Sequence, residues 1–150
     1  MIGFIDILLV EDNAYEAELA IRAFKKRTMA NCIVHVKDGQ EAMDFLYGTG
    51  TYEGRDVSNV PRIILLDLNL PKIGGLEVLL KIRSNENTRM VPVVVLTASS
   101  EERDMVASYR LGANSYVVKP HDFEKFLEVT SNLITYWLLI NQLPQLKPRK

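Results

Sequence analysis

Two acids at Glu11 and Asp12, a third at Asp67, a hydroxyl at Thr97 and an amine at Lys119 each stand directly after a short apolar run. The runs are IDILLV at 5–10, IILL at 63–66, VPVVVL at 91–96 and YVV at 116–118. Ligands of an open α/β sheet bind beyond the carboxyl ends of its strands. If these runs are parallel strands, the five side chains meet on one edge of the sheet. Carboxylates gathered there repel one another, so either some are protonated or a cation is shared among them. A hard divalent ion that prefers oxygen ligands, Mg2+ above all, resolves the conflict for Glu11, Asp12 and Asp67. An Asp with Mg2+, an amine and a hydroxyl around it suits phosphoryl transfer. An ionised carboxylate is already a nucleophile and needs no general base. Lys119 and the metal would offset charge on the equatorial oxygens, and Thr97 could donate a hydrogen bond to the phosphoryl group. Any one of these acids alone reads as well as a polar strand end capping a neighbouring helix. The set at successive strand ends points to chemistry.

The elements that must position them alternate along the chain. The runs at 5–10, 32–36, 63–66, 91–96 and 116–118 are short, rich in β-branched residues and mostly without period-two alternation. That pattern suits strands buried on both faces of a parallel sheet. Between them lie helical stretches. Ala17, Ala20, Ile21 and Phe24 share one helix face. A second helix is expected over 40–47 and a third over 76–83, after the Gly74 and Gly75 turn. A fourth opens on the capping-box signature SSEE at 99–102 and ends at Gly112. A fifth runs from Asp122 to about Asn141 and is stopped by Pro144. Five strands alternating with five helices predict a doubly wound α/β sandwich with helices on both faces. The segment 48–61 is a Gly-, Thr- and Ser-containing loop, long for a compact domain. The reading is one domain over 1–141 and a tail at 142–150.

With 18 Lys and Arg against 19 Asp and Glu, the net charge of −1 gives no global pull toward nucleic acid or an anionic membrane. Cys32 is the only cysteine, which excludes an intrachain disulfide and fits a reducing compartment. It reads as an inert core residue. The first ten residues carry Asp6 and no basic leader, so they do not read as a signal peptide. The apolar stretch 133–140 is too short to span a bilayer. A cytoplasmic protein without a membrane span is expected. His35 and His121 read as plain surface or loop residues.

The chain resembles response-regulator receiver domains. The resemblance rests on Glu11 and Asp12 after the first strand, Asp67 after the third, Thr97 and Ala98 after the fourth, and Lys119 and Pro120 after the fifth, with Pro71, Gly74 and Gly75 in the loop after Asp67. It implies a flavodoxin-like sheet in the order 2-1-3-4-5. It also implies that Asp67 takes a phosphoryl group from a phosphohistidine of a sensor histidine kinase, as a phosphoacceptor that assists its own transfer and dephosphorylation rather than as an enzyme. Asp12 and Asp67 would bind Mg2+ directly, Glu11 through water and Asn69 through its backbone carbonyl. Thr97 and Lys119 would bind the phosphoryl oxygens. Tyr116 takes the position of the aromatic switch that changes rotamer with Thr97, although it also reads as a half-buried strand aromatic. The peptide between Lys119 and Pro120 would be cis. The long loop at 48–61 and the aromatic, apolar end of the last helix are similar to small phytochrome-associated regulators of cyanobacterial type, which implies a phytochrome kinase as donor.

Three other readings compete. An aspartyl-phosphate phosphatase of the haloacid-dehalogenase type needs a second Asp two residues after the nucleophile, where this chain has Asn69. A non-phosphorylated pseudo-receiver would lack the acceptor or the lysine, and both are here. A flavodoxin shares the fold but needs a Ser/Thr-rich phosphate loop where Glu11, Asp12 and Asn13 stand.

The last helix adds an expectation of its own. Phe123, Phe126, Leu127, Ile134, Trp137 and Leu138 fall on one face, enough to cover the sheet. Val129, Leu133, Tyr136 and Ile140 form a second stripe. An apolar arc this wide predicts a homodimer through that helix, unless the tail or the 48–61 loop folds over it.

Overall fold

Continuous apolar strands need both faces covered, and the chain supplies helices to do so. The computed structural model describes residues 3–27 and 32–144. Within them the order is β1 (Ile7–Val10), α1 (Ala14–Arg27), β2 (Ile33–Val36), α2 (Gly39–Tyr47), β3 (Ile63–Leu66), α3 (Gly75–Ser84), β4 (Val93–Thr97), α4 (Glu102–Arg110), β5 (Ser115–Val118) and α5 (Phe123–Ile134). The strands form one parallel sheet in the order β2-β1-β3-β4-β5, as expected.

Alternate residues of each strand serve opposite faces. Leu8, Val10, Ile64 and Leu66 pack with Phe45, Val78 and Leu79, so α2 and α3 cover one face. Ile7, Leu9, Ile63 and Leu65 pack with Phe24, Phe126 and Ile134, so α1 and α5 cover the other. No residue of β1 or β3 is left for water, which is why these strands lack polar alternation.

The helix ends follow local chemistry. Asp38 caps α2 by accepting from the Glu41 amide at 2.7 Å. Asp122 caps α5 through the Glu124 and Lys125 amides. The α4 start differs from expectation. Glu101 is the N-cap and makes no side-chain cap bond. The Ser99 hydroxyl instead accepts from the Glu101 amide and donates to Asp104. Tyr116 holds the Ser99 carbonyl at 2.9 Å, which keeps Ser99 in the loop ahead of the helix.

The 48–61 loop closes on α2. Its 3-10 turn (Gly50–Tyr52) sets Tyr52 edge-on against Phe45, with ring centroids 5.1 Å apart. Arg55 lies over the Phe45 ring, its Cζ 4.1 Å from the ring centroid, and donates to the Phe45 and Asn59 carbonyls.

After α5 the helix continues as a π turn (Thr135–Ile140), closed by the Asn141 amide on the Tyr136 carbonyl, an i→i+5 bond. Arg62 clamps this turn by donating to the Leu138 carbonyl at 2.7 Å. The wider turn breaks the 100° count behind the expected stripes. Phe126, Ile134 and Leu138 are buried and Leu127 and Trp137 half-buried, as the first stripe requires. Phe123 is not on the covered face: it is 49% exposed, because contact with the core begins one turn later, at Phe126. Leu133 of the second stripe packs against the core. Tyr136 and Ile140 remain exposed, and the register shift adds Leu139 to them. Part of the tail, 145–150, lies outside the described residues.

Candidate functional site

Register brings the strand ends together. Val10 of β1 stands opposite Leu66 of β3, so Glu11 and Asp67 leave the sheet side by side. Leu66 faces Val95 and Thr97 faces Val118, which sets Thr97 and Lys119 on the other flank of Asp67. The structure brings Glu11, Asp67, Thr97 and Lys119 into one buried cluster, with Asp12 exposed at its rim.

Asp67 is the hub. Its Oδ1 accepts from Thr97 Oγ1 at 2.9 Å and from the Asn69 amide at 3.1 Å. Its Oδ2 accepts from Lys119 Nζ at 2.9 Å. Lys119 Nζ also donates to Glu11 Oε1 and, at 3.0 Å, to Glu16 Oε2. Burial alone would lower the Lys119 ammonium, but its bonds to Glu11 and Asp67 outweigh that and hold it above the ordinary lysine range. Burial raises the Glu11 carboxyl to about 7, against the opposing pull of Lys119. One amine thus serves three acids and leaves the group short of positive charge.

Glu11, Asp12 and Asp67 each offer a carboxylate oxygen within 4.8 Å of the others. A hard divalent cation accepts this all-oxygen donor set, so the site fits a divalent metal. Asn69 is exposed beside it, its amide turned to Asp67.

The loop after Asp67 is held from below. A Cβ at Gly75 would lie 2.5 Å from the Asp67 carbonyl oxygen and from Leu68 Cα, so only glycine lets α3 start this close to the loop after Asp67. Lys72 takes a left-handed φ of 67°, a strained conformation for lysine, and reaches the Asp38 cap at 3.6 Å.

Glu16 and His35 had no role in the sequence reading. Glu16 stands three residues after Asn13, whose Oδ1 accepts the Glu16 amide at 3.0 Å. That Asn-x-x-Glu spacing is a helix-start signal and the one trace of it in the sequence. His35 lies in β2, within the run expected as a strand, and its Nε2 sits 2.8 Å from the Glu11 carbonyl rather than free at the surface. Tyr116 is half-buried in β5 with its hydroxyl on the Ser99 carbonyl. Cys32 is half-buried against the α2 side of the core rather than fully inside it. Among the described residues every peptide is trans, including the one between Lys119 and Pro120 where the resemblance implies cis.

The sequence model of the response regulator receiver domain matches residues 7–131, most of the chain and every element of the site. The chain belongs to this family. Among relatives, the receiver domain is 40% identical to the response regulator Rcp1 of Synechocystis over 92% of either chain. It is 42% identical to the probable methanogenesis regulatory protein FilR2 of Methanothrix harundinacea, over 92% of this chain and 86% of that one. Among solved structures, the phosphorylated cyanobacterial phytochrome response regulator RcpA superposes with a TM-score of 0.88 at 37% identity, covering 95% of this chain and 100% of that one. The Mn2+-bound form of Rcp1 gives 0.85 at 39% identity, covering 92% and 97%. Among the described residues no helix is long and apolar enough to cross a membrane.

Proposed function

We propose that this response regulator takes a phosphoryl group onto Asp67 from a sensor histidine kinase, in a Mg2+-dependent reaction, and signals by a conformational switch. The observation that carries the reading is the convergence on one buried carboxylate of Thr97 Oγ1, the Asn69 amide and Lys119 Nζ. A carboxylate oxygen of Asp67 forms the new P–O bond while the P–N bond of the phosphohistidine breaks, and the electron pair leaves on the imidazole nitrogen. Thr97 and Lys119 then donate to phosphoryl oxygens in place of Asp67. Glu11, Asp12, Asp67 and the Asn69 carbonyl would hold the Mg2+, which when bound neutralises charge on those oxygens. Loss of the Thr97 bond to Asp67 frees the end of β4, and Tyr116, tied to the next loop, carries the change toward α4 and α5. The domain acts as a phosphoacceptor, over 1–141, and a cytoplasmic location goes with this reading.

The similarity to Rcp1 and RcpA supports a phytochrome kinase as donor. The similarity to FilR2 names a different pathway, so the decisive experiment is phosphotransfer. A phytochrome-type kinase should label the domain faster than unrelated histidine kinases do. Equal or slower transfer from the phytochrome would remove that donor.

The metal reading predicts stabilisation by linkage. Mg2+ at a hundred times its dissociation constant should add about 2.7 kcal/mol to unfolding. Asp12→Ala should lose most of that gain, and its metal-free form should melt no lower than the parent, because a like charge has gone from beside Glu11 and Asp67. Melting curves with Mg2+ and with chelator test both statements; an undiminished Mg2+ shift in the variant argues against the site.

A homodimer through the end of the last helix belongs to the same proposal. Tyr136 and Ile140 are 46% and 61% exposed, beside an open groove of about 440 Å³ lined by Val129, Leu133, Tyr136 and Trp137. Burying such a patch against its two-fold copy satisfies both chains. Tyr136→Glu is expected to give a monomer by sedimentation that still takes the phosphoryl group. A monomeric parent protein, phosphorylated or not, overturns the dimer.

A further inference from the structure

Lys119 has three ammonium hydrogens, and its three bonds to Glu11, Asp67 and Glu16 use all of them. On phosphorylation the hydrogen bond now made to Asp67 Oδ2 passes to a phosphoryl oxygen, and Nζ turns further toward the phosphoryl group only if Glu11 or Glu16 gives way. Glu11 and Asp67 side chains are 6% and 7% exposed, whereas Glu16 is 36% exposed. Freeing Glu11 would leave a buried carboxylate without its partner, while freeing Glu16 returns a half-exposed one to water. Glu16 is also the acid of the three outside the metal-binding group.

The start of α1 shows that Glu16 is turned to Lys119 rather than used for capping. In a capping box the third-position Glu reaches back to the amide of the cap residue. Here the Asn13 amide donates to Glu11 Oε2 at 3.1 Å, and Glu16 carries its carboxylate to Lys119 instead. The Asn13 bond to the Glu16 amide involves only backbone at position 16, so it survives side-chain replacement.

We propose that Glu16 is a positioning residue that draws Lys119 away from the incoming phosphoryl group and so slows phosphorylation of Asp67. The proposal rests on Asp67 being the acceptor. The test uses acetyl phosphate with saturating Mg2+: Asp67 forms the P–O bond, the P–O bond to the acetyl group breaks, and acetate leaves with the electron pair. Glu16→Gln removes the charge. Glu16→Asp keeps the charge and shortens the reach by one methylene. Glu16→Gln should raise the initial rate about fivefold, the scale of a partly exposed ion pair, and Glu16→Asp at least about twofold. In the metal-free protein the Lys119 Nζ and Cε resonances should move in both variants, which a purely structural role would not require. Unchanged or slower rates in both variants overturn the proposal. So does a gain in Glu16→Gln alone, because charge near the site then acts without the Lys119 contact. Unmoved Lys119 resonances overturn it as well. Asp67→Asn distinguishes the two readings: label on that variant removes the acceptor assignment itself, whereas an unlabelled Asp67→Asn beside unaccelerated Glu16 variants removes only this proposal.

Discussion

Asp67→Asn is expected to abolish phosphorylation by a kinase or a small phosphodonor, leaving no mass increase and no acid-stable, base-labile label. The amide has nearly the shape of the carboxylate, and its carbonyl can still accept from Thr97 and the Asn69 amide. Its NH2 would face Lys119 Nζ, donor against donor, where the parent has a 2.9 Å bond. An amide nitrogen or oxygen in that place is not a nucleophile toward phosphorus, so the loss is one of chemistry and not of fold. Thr97→Ala provides the contrast. It loses one bond to Oδ1 and keeps the acceptor, so it should still be labelled. Intact mass measurement after incubation with acetyl phosphate and Mg2+ separates the cases; a fully labelled Asp67→Asn would move the acceptor to another residue.

Lys119→Met should have the largest effect on stability. Methionine fills similar volume without the charge, so packing is conserved while Glu11, Glu16 and Asp67 lose their common partner. Removing one member of a buried ion pair costs about 3–5 kcal/mol, because the remaining charge is left uncompensated. Here two of the three acids are buried and the third is partly screened by water, so the metal-free variant should fall within that range. Mg2+ should then stabilise Lys119→Met more than it stabilises the parent. In the parent, Lys119 already supplies positive charge to two of the residues that would hold the ion. Denaturant unfolding in chelator and in Mg2+ measures both terms. A metal-free variant as stable as the parent would mean that Lys119 does not balance the acids.

The sequence by itself determined the kind and order of the elements. A strand buried on both faces must be apolar at every position, so IILL and IDILLV announce themselves and the first polar residue after each marks where the strand leaves the sheet. In a parallel sheet those exits share one edge, and Glu11, Asp12, Asp67, Thr97 and Lys119 were legible for that reason. Gly75 was legible too, as the glycine of the loop after Asp67, although its reason is a close approach to the Asp67 carbonyl that only the packed chain reveals.

Tertiary structure decided which atoms meet. The register of Val10 on Leu66 and of Thr97 on Val118 sets Lys119 between Glu11 and Asp67 and within reach of Glu16, 103 positions away. No local spacing encodes a contact across that separation, and Glu16 reads in sequence as an ordinary first-turn acid. The same holds for His35, whose ring finds the Glu11 carbonyl only because β2 lies beside β1. The end of the last helix shows the opposite limit. Counting 100° per residue placed Phe123 on the covered face and left Leu139 unassigned, yet Phe123 precedes the first core contact and the π turn exposes Leu139. Helical periodicity is a property of α geometry, and a π turn with an i→i+5 bond, its Leu138 carbonyl held by Arg62 from just before β3, ends its validity.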